Sequence, residues 1–211
     1  MRKIIITLFG IAFFMINSAQ AQPNKQDPQD YPAKAEDISP LLIGEMIPKQ
    51  ELTDVKGGAI DIGKVISQKP TILVFYRGGW CPYCNLQLSG LQEIEKELIG
   101  LGYQVIAVST DKPENLQSSI DKGHLTYTLL SDADLSLAKK MGIVFKAPIA
   151  YHKFLPETSG GKNTDMLLPV PSVFILNKKG EIRFEYIEPN FKERISPNLL
   201  QAAAGALYDS L

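Results

Sequence analysis

The stretch TILVFYRGGWCPYC, Thr71 to Cys84, constrains this chain more than any other. A short continuous apolar run reads as a buried strand. Behind it, Leu88, Leu91, Ile94 and Leu98 recur at the spacings of three and four that mark a helix. Strand, turn and helix therefore meet at Cys81 and Cys84, the only two cysteines, directly after the only tryptophan, Trp80. A sulfur at a helix start faces unpaired backbone N–H groups and the positive end of the helix dipole, which favour the reactive thiolate. A second cysteine one turn further in can attack any bond the first one makes, so the pair can cycle between dithiol and disulfide.

Other uses of the pair compete with redox chemistry. A structural zinc site usually needs four ligands. This chain adds only His124 and His152, which lack ligand spacing and read as surface residues, so no metal or other cofactor is expected. A static disulfide closing so short a loop adds little stability by the loop-entropy argument, and plain core packing is the remaining alternative.

Alternation continues along the chain. Gly100 and Gly102 end the first helix, YQVIAVS and TYTLL read as further strands, and helices are expected at Pro113 to Asp121 and Ala133 to Met141. SVFILN and EIRFEYI, joined by Lys178-Lys179-Gly180, read as an antiparallel hairpin. Ser196 with Pro197 behind it is a helix-start signal. Asp111 and Asp132 sit where they can cap helices. The pattern implies an α/β fold, a central mixed sheet flanked by helices. Between Phe145 and Pro169 no period is visible, and a loop of that length often lies over a site or is a plain surface insertion.

The first residues, MRKIIITLFGIAFFMINSAQA, place Arg2 and Lys3 before a 13-residue apolar run and small residues before Ala21. That is a signal-peptide pattern, too short for the roughly 20 residues of a membrane span. Residues 1–21 are thus expected to be removed, 22–40 to form a flexible, proline-rich leader and 41–211 to form one domain. Export, most simply to a periplasm, follows from that reading. The 22 basic residues balance 23 acidic ones and are scattered, so no nucleic-acid partner is expected.

The residues also resemble a known suprafamily. WCPYC is similar to the thioredoxin-fold active site, and VPSVFIL, Val170 to Leu176, resembles its second landmark, which implies a cis bond at Pro171 facing the dithiol. Gly44 to Val65 resembles the N-terminal hairpin of the alkyl hydroperoxide reductase C and thiol-specific antioxidant family, the peroxiredoxin-like proteins. VIAVSTDKPENLQSSI and YTLLSDADLSLAKKMGI are similar to its next strand-helix units. The resemblance implies a thioredoxin-like fold with an N-terminal hairpin extension.

It implies function less directly. The family motif Phe-Tyr-Pro-x-x-x-Thr-x-x-Cys, laid on FYRGGWCPYC, puts the peroxide-attacking cysteine on Cys84, the threonine on Cys81 and the proline on Arg77, while the family's distant arginine falls at or beside Pro171. A buried acid of thioredoxins falls on Phe75. Arg77 is then a candidate cation near the sulfur, Trp80 a flat apolar surface beside it, and both have ordinary packing or surface roles as alternatives. Two enzymatic readings share the pair: a thiol-dependent peroxidase, and a protein thiol-disulfide oxidoreductase with Cys81 attacking and Cys84 resolving. The expected partners are a peroxide or a protein disulfide and a thioredoxin-like or membrane-tethered dithiol donor. A non-turning redox sensor is the non-enzymatic reading.

Overall fold

The computed structural model describes residues 30–210. The strands are β1 (Glu51–Thr53), β2 (Ala59–Asp61), β3 (Thr71–Tyr76), β4 (Gln104–Ser109), β5 (Thr128–Ser131), β6 (Val144–Lys146), β7 (Leu167–Pro169), β8 (Ser172–Leu176) and β9 (Ile182–Ile187). The helices are α1 (Ile62–Ile66), α2 (Pro82–Gly100), α3 (Pro113–Gly123), α4 (Ser136–Lys140), α5 (Ile149–His152), α6 (Leu155–Thr158) and α7 (Pro197–Leu207).

Seven strands form one mixed sheet in the order β2-β1-β5-β4-β3-β8-β9. The strand ahead of the dithiol, β3, lies inside it, parallel to β4 and antiparallel to β8. All six residues of β3 are buried, as a strand covered on both faces requires. Alternation then sorts its side chains. Ile72, Val74 and Tyr76 join the layer containing Cys84, Leu88 and Leu91 of α2 and Leu200 of α7. Leu73 and Phe75 join the opposite layer with Ile62, Leu137 and Phe174. The expected N-terminal hairpin is β1–β2, tied to the sheet by the Thr53–Ser131 pairing.

Several local expectations are redrawn. The expected signal peptide and the leader up to residue 29 lie outside the described residues. The compact unit starts at Tyr31, ahead of Leu41: Tyr31 and Ile38 pack on the core, and Lys146 N–H donates to Pro32 O. The aperiodic stretch from Phe145 to Pro169 holds β6, α5, α6 and β7, with β6 and β7 paired as a separate two-stranded sheet. Each of these pieces is three or four residues long, shorter than the window in which a period can show. Asn163 pins the hairpin by exchanging hydrogen bonds with the Leu167 backbone at 2.8 and 3.0 Å.

The helix expected from Ala133 begins at Ser136, after Leu135 turns through φ +57°. Asp132 accepts from Leu137 and Ala138 N–H, a capping role. Asp111 caps nothing; Lys112 precedes α3 without a side-chain cap. The cis bond expected at Pro171 is not there: no described peptide bond is cis. Val170 N–H, between β7 and β8, bonds Ile143 O, and the Val170–Pro171 bond keeps the trans form that an X–Pro peptide ordinarily prefers.

Candidate active site

Cys81 is the residue that opens α2. Its backbone is extended (φ −93°, ψ 114°), its carbonyl receives the first helical N–H bonds from Cys84 and Asn85, and Pro82 follows at the first helical position. Cys84 faces inward one turn later. Both cysteines are reduced and buried, with 1% and 0% of their surface exposed.

The turn that delivers Cys81 is held from two sides. Asp111, at the end of β4, accepts from Gly79 N–H at 2.6 Å, and Asn85 Nδ2 donates to Gly79 O at 2.9 Å. Gly78 has φ +144°, and a Cβ there would lie 2.3 Å from Trp80 Nε1, so a side chain is excluded twice over.

The charge of the pair belongs on Cys81. The Cys84 thiol donates to it, and the Arg77 and Arg194 guanidinium groups add positive charge nearby, bringing its pKa down to about 6 against the opposing effect of burial. Burial and the neighbouring Cys81 sulfur push the Cys84 thiol well above its usual range. The pair therefore holds one thiolate and one thiol near neutrality, with the thiol on the deeper sulfur.

Arg77 is buried, with 2% exposed. Its guanidinium carbon stacks over the rings of Phe191, Tyr151 and Trp80 at 4.4, 4.6 and 5.1 Å. Stacked aromatic faces hold a cation without an anionic partner. Trp80 is half-buried and packs on Phe154 and Tyr151, centroids 4.9 and 5.5 Å away, which fixes the ring on the α5–α6 wall. Pro171 is buried at the start of β8, and its carbonyl accepts from Glu188 N–H.

Arg194 escaped sequence reasoning. It arrives on residues 188–196, a strap between β9 and α7, and its Nη2 lies 3.4 Å from Cys84 Sγ. Its other guanidinium nitrogen, Nη1, is occupied by the carbonyls of Phe191 and Glu193. Nothing in the strap's sequence signals a role, since 110 positions separate it from Cys84.

Unpartnered polar atoms concentrate here. Among the described residues, Tyr76 Oη, Arg77 Nε, Trp80 Nε1, Gln87 Oε1, Asp111 Oδ1 and Arg194 Nε are buried without a hydrogen bond, and only Glu185 Oε2 joins them from elsewhere. Buried orphans are costly and cluster where chemistry is done. Two openings flank the site. A cleft of about 400 Å³ is walled by Trp80, Asn85, Asp111, Lys122 and Glu157. A pocket of about 240 Å³ lies between α2 and the strap, against Tyr83, Leu86 and Arg194.

The sequence model of the AhpC/TSA family matches residues 43–185. Peroxiredoxin Bcp of Escherichia coli (strain K12) is 34% identical over 106 residues, which are 50% of this chain and 67% of that protein. The chloroplastic Peroxiredoxin Q of Gentiana triflora is 25% identical over 173 residues, 82% of this chain and 70% of its own. Among solved structures, the reduced Prx3 of Vibrio vulnificus in complex with hydrogen peroxide shares the fold at a TM-score of 0.66 and 16% identity, covering 78% of this chain and 96% of its own. Peroxidoxin BcpB of Mycobacterium tuberculosis does so at 0.63 and 18%, covering 80% and 97%.

Proposed function

Because the chain belongs to the AhpC/TSA family and is a peroxiredoxin, an oxidoreductase of the thiol peroxidase type, we propose that it reduces hydroperoxides through the Cys81–Cys84 pair with Cys81 as the attacking thiolate. The observation that carries this order is the placement of the two sulfurs: Cys81 opens α2 at its N-terminus, while Cys84 lies fully buried one turn in, where burial and the neighbouring Cys81 sulfur hold its proton and leave the negative charge on Cys81. Cys81 S⁻ attacks the terminal oxygen of the peroxide, the O–O bond breaks, and the departing alkoxide or hydroxide takes a proton. The sulfenic acid on Cys81 then condenses with Cys84, forming the S–S bond and releasing water. A thioredoxin-like or membrane-tethered dithiol returns the pair to its starting state.

The test is to mix reduced Cys81→Ala and Cys84→Ala variants with hydrogen peroxide and trap sulfenic acid with dimedone. The proposal expects fast labelling of Cys81 in the second variant and none in the first. Labelling of Cys84 instead restores the order implied by the family motif, and oxidation no faster than free cysteine in the wild type removes the peroxidase reading.

A second reading, protein thiol-disulfide exchange with the same order of attack, is favoured by the substitution of three of the four peroxide-holding family positions, including Arg77 for proline and Cys81 for threonine. Rapid exchange with a disulfide-bonded protein combined with slow peroxide oxidation supports it. The signal-like pattern before Gln22 supports export to a periplasm, checked by N-terminal sequencing of the protein from fractionated cells.

A further inference from the structure

The dithiol that resets the oxidised pair must dock beside it, and the backbone at the start of β8 gives it no purchase. Val170 N–H bonds Ile143 O, Val170 O accepts from Ser172 Oγ, and Pro171 O accepts from Glu188 N–H. Every backbone group there that could pair with an extended partner is already occupied.

The groove between α2 and the strap is built differently. Arg194 joins it to the reacting pair, since the same side chain lines the groove and sets Nη2 3.4 Å from Cys84 Sγ. Cys84, Gln87 and Leu91 follow one another along α2 at spacings of three and four, so one helix face runs from the sulfur into the groove. Two polar atoms of its wall are buried and unsatisfied, Gln87 Oε1 and Arg194 Nε, and Gln87 has only 8% of its surface exposed. One is an acceptor and the other a donor, the two partners that a peptide group needs. The charged side chains of the wall, Lys192 and Arg194, are both cations. Tyr83 and Leu86 at the same groove are 37% and 73% exposed. That apolar surface suits a partner's own surface better than a ligand held within about 240 Å³.

We propose that the groove between α2 and the strap is the docking surface for a protein dithiol donor, which lays an extended segment with an apolar and an acidic side chain along it and attacks the oxidised pair at Cys84. In the balanced step the donor thiolate bonds to the Cys84 sulfur, the Cys81–Cys84 bond breaks, and its electron pair leaves on Cys81. The donor's second thiolate then attacks the donor's first sulfur, and Cys84 leaves and takes a proton. The donor ends as a disulfide and the pair as a thiol and a thiolate. A sulfur at a helix start leaves as thiolate more readily than one buried a turn further in, and Cys81 is the sulfur that opens α2. The attack therefore belongs on Cys84, the sulfur that the groove adjoins.

This surface rests on the proposed cycle only through its disulfide, which diamide forms without peroxide. The full chain oxidised with diamide is mixed with thioredoxin as the protein probe or with dithiothreitol as the small one. Loss of the disulfide is read by acid quench, alkylation and mass spectrometry. Leu86→Glu and Lys192→Glu are each expected to lower the ratio of the thioredoxin rate to the dithiothreitol rate by about tenfold. Lys178→Glu, the same charge reversal at the far end of β8, is expected to keep the wild-type ratio. A thioredoxin whose second active-site cysteine is replaced by serine, followed by N-ethylmaleimide, is expected to be captured on Cys84 with the maleimide on Cys81.

An unchanged ratio in both groove variants, capture on Cys81, or a wild-type chain that dithiothreitol reduces and thioredoxin does not, overturns the docking surface. The expected ratios and capture, in a chain whose reduced form peroxide oxidises no faster than free cysteine, uphold the surface and overturn the peroxidase reading alone.

Discussion

Arg194 Nη2 lies 3.4 Å from Cys84 Sγ, so a cation near the chain's end completes a site begun by the strand-helix turn at residues 76–84. The family arginine expected at or beside Pro171 is missing, and a guanidinium reaches Cys84 from the strap instead.

Arg194→Met removes that positive charge. The Cys81 pKa is expected to rise from about 6, and peroxide oxidation at pH near 6 to slow roughly tenfold, ~1.4 kcal/mol. Arg194→Lys keeps the charge without the planar fork and should fall between the two. Ultraviolet titration of the thiolate with parallel peroxide kinetics measures both, and an unchanged Cys81 pKa in Arg194→Met argues against a role for this cation.

The pH dependence of the first step follows from the Cys81 value. Its pKa is depressed in the folded protein, so the thiolate is present above about 6 and lost below it, and oxidation should rise with pH to a plateau above that point. Cys84→Ala deletes the S–H donor, the largest cause of the depression, and the inflection should move up toward the ordinary thiol value. An inflection that stays in place would assign the charge to another cause.

The turn itself offers a packing test. A Cβ on Gly79 would stand 2.2 Å from Ser119 Oγ but 3.6 Å from Ser119 Cβ. Gly79→Ala is therefore expected to destabilise the protein by about 1–3 kcal/mol. Ser119→Ala in the same chain should restore most of that loss, as read from denaturant midpoints of the single and double variants.

Arg77 tests the aromatic box. Exchange for lysine keeps the charge but gives up the flat stack on Trp80, Tyr151 and Phe191. A loss of about 2 kcal/mol is expected, together with a shift of the Trp80 emission. A variant with unaltered emission and unfolding midpoint would make the stack incidental.

The legible parts of this molecule were those with long or local signals. β3, α2 and the β8–β9 hairpin each announce themselves by period or by turn residues, and the dithiol stands where the strand-helix pattern puts it. The elements between Phe145 and Pro169 are too short to carry a period, and their order comes from tertiary pairing and Asn163. Arg194 and Asp111 illustrate a different limit. An arginine in a polar loop and an aspartate after a strand are ordinary in sequence, and only the fold shows that one meets Cys84 and the other meets Gly79 rather than a helix end.

The placement of β3 between β4 and β8, with every residue buried, divides the site into a permanent half and an exchangeable half. The sulfurs stand at the start of α2, which follows directly on a strand whose backbone is laddered on both sides. The walls that admit a guest, α5 with α6 on one side and the strap on the other, are short connections at the margin. These two segments carry Tyr151, Phe191 and Arg194 to the site, so the walls that set access to the dithiol also set the charge around its sulfurs.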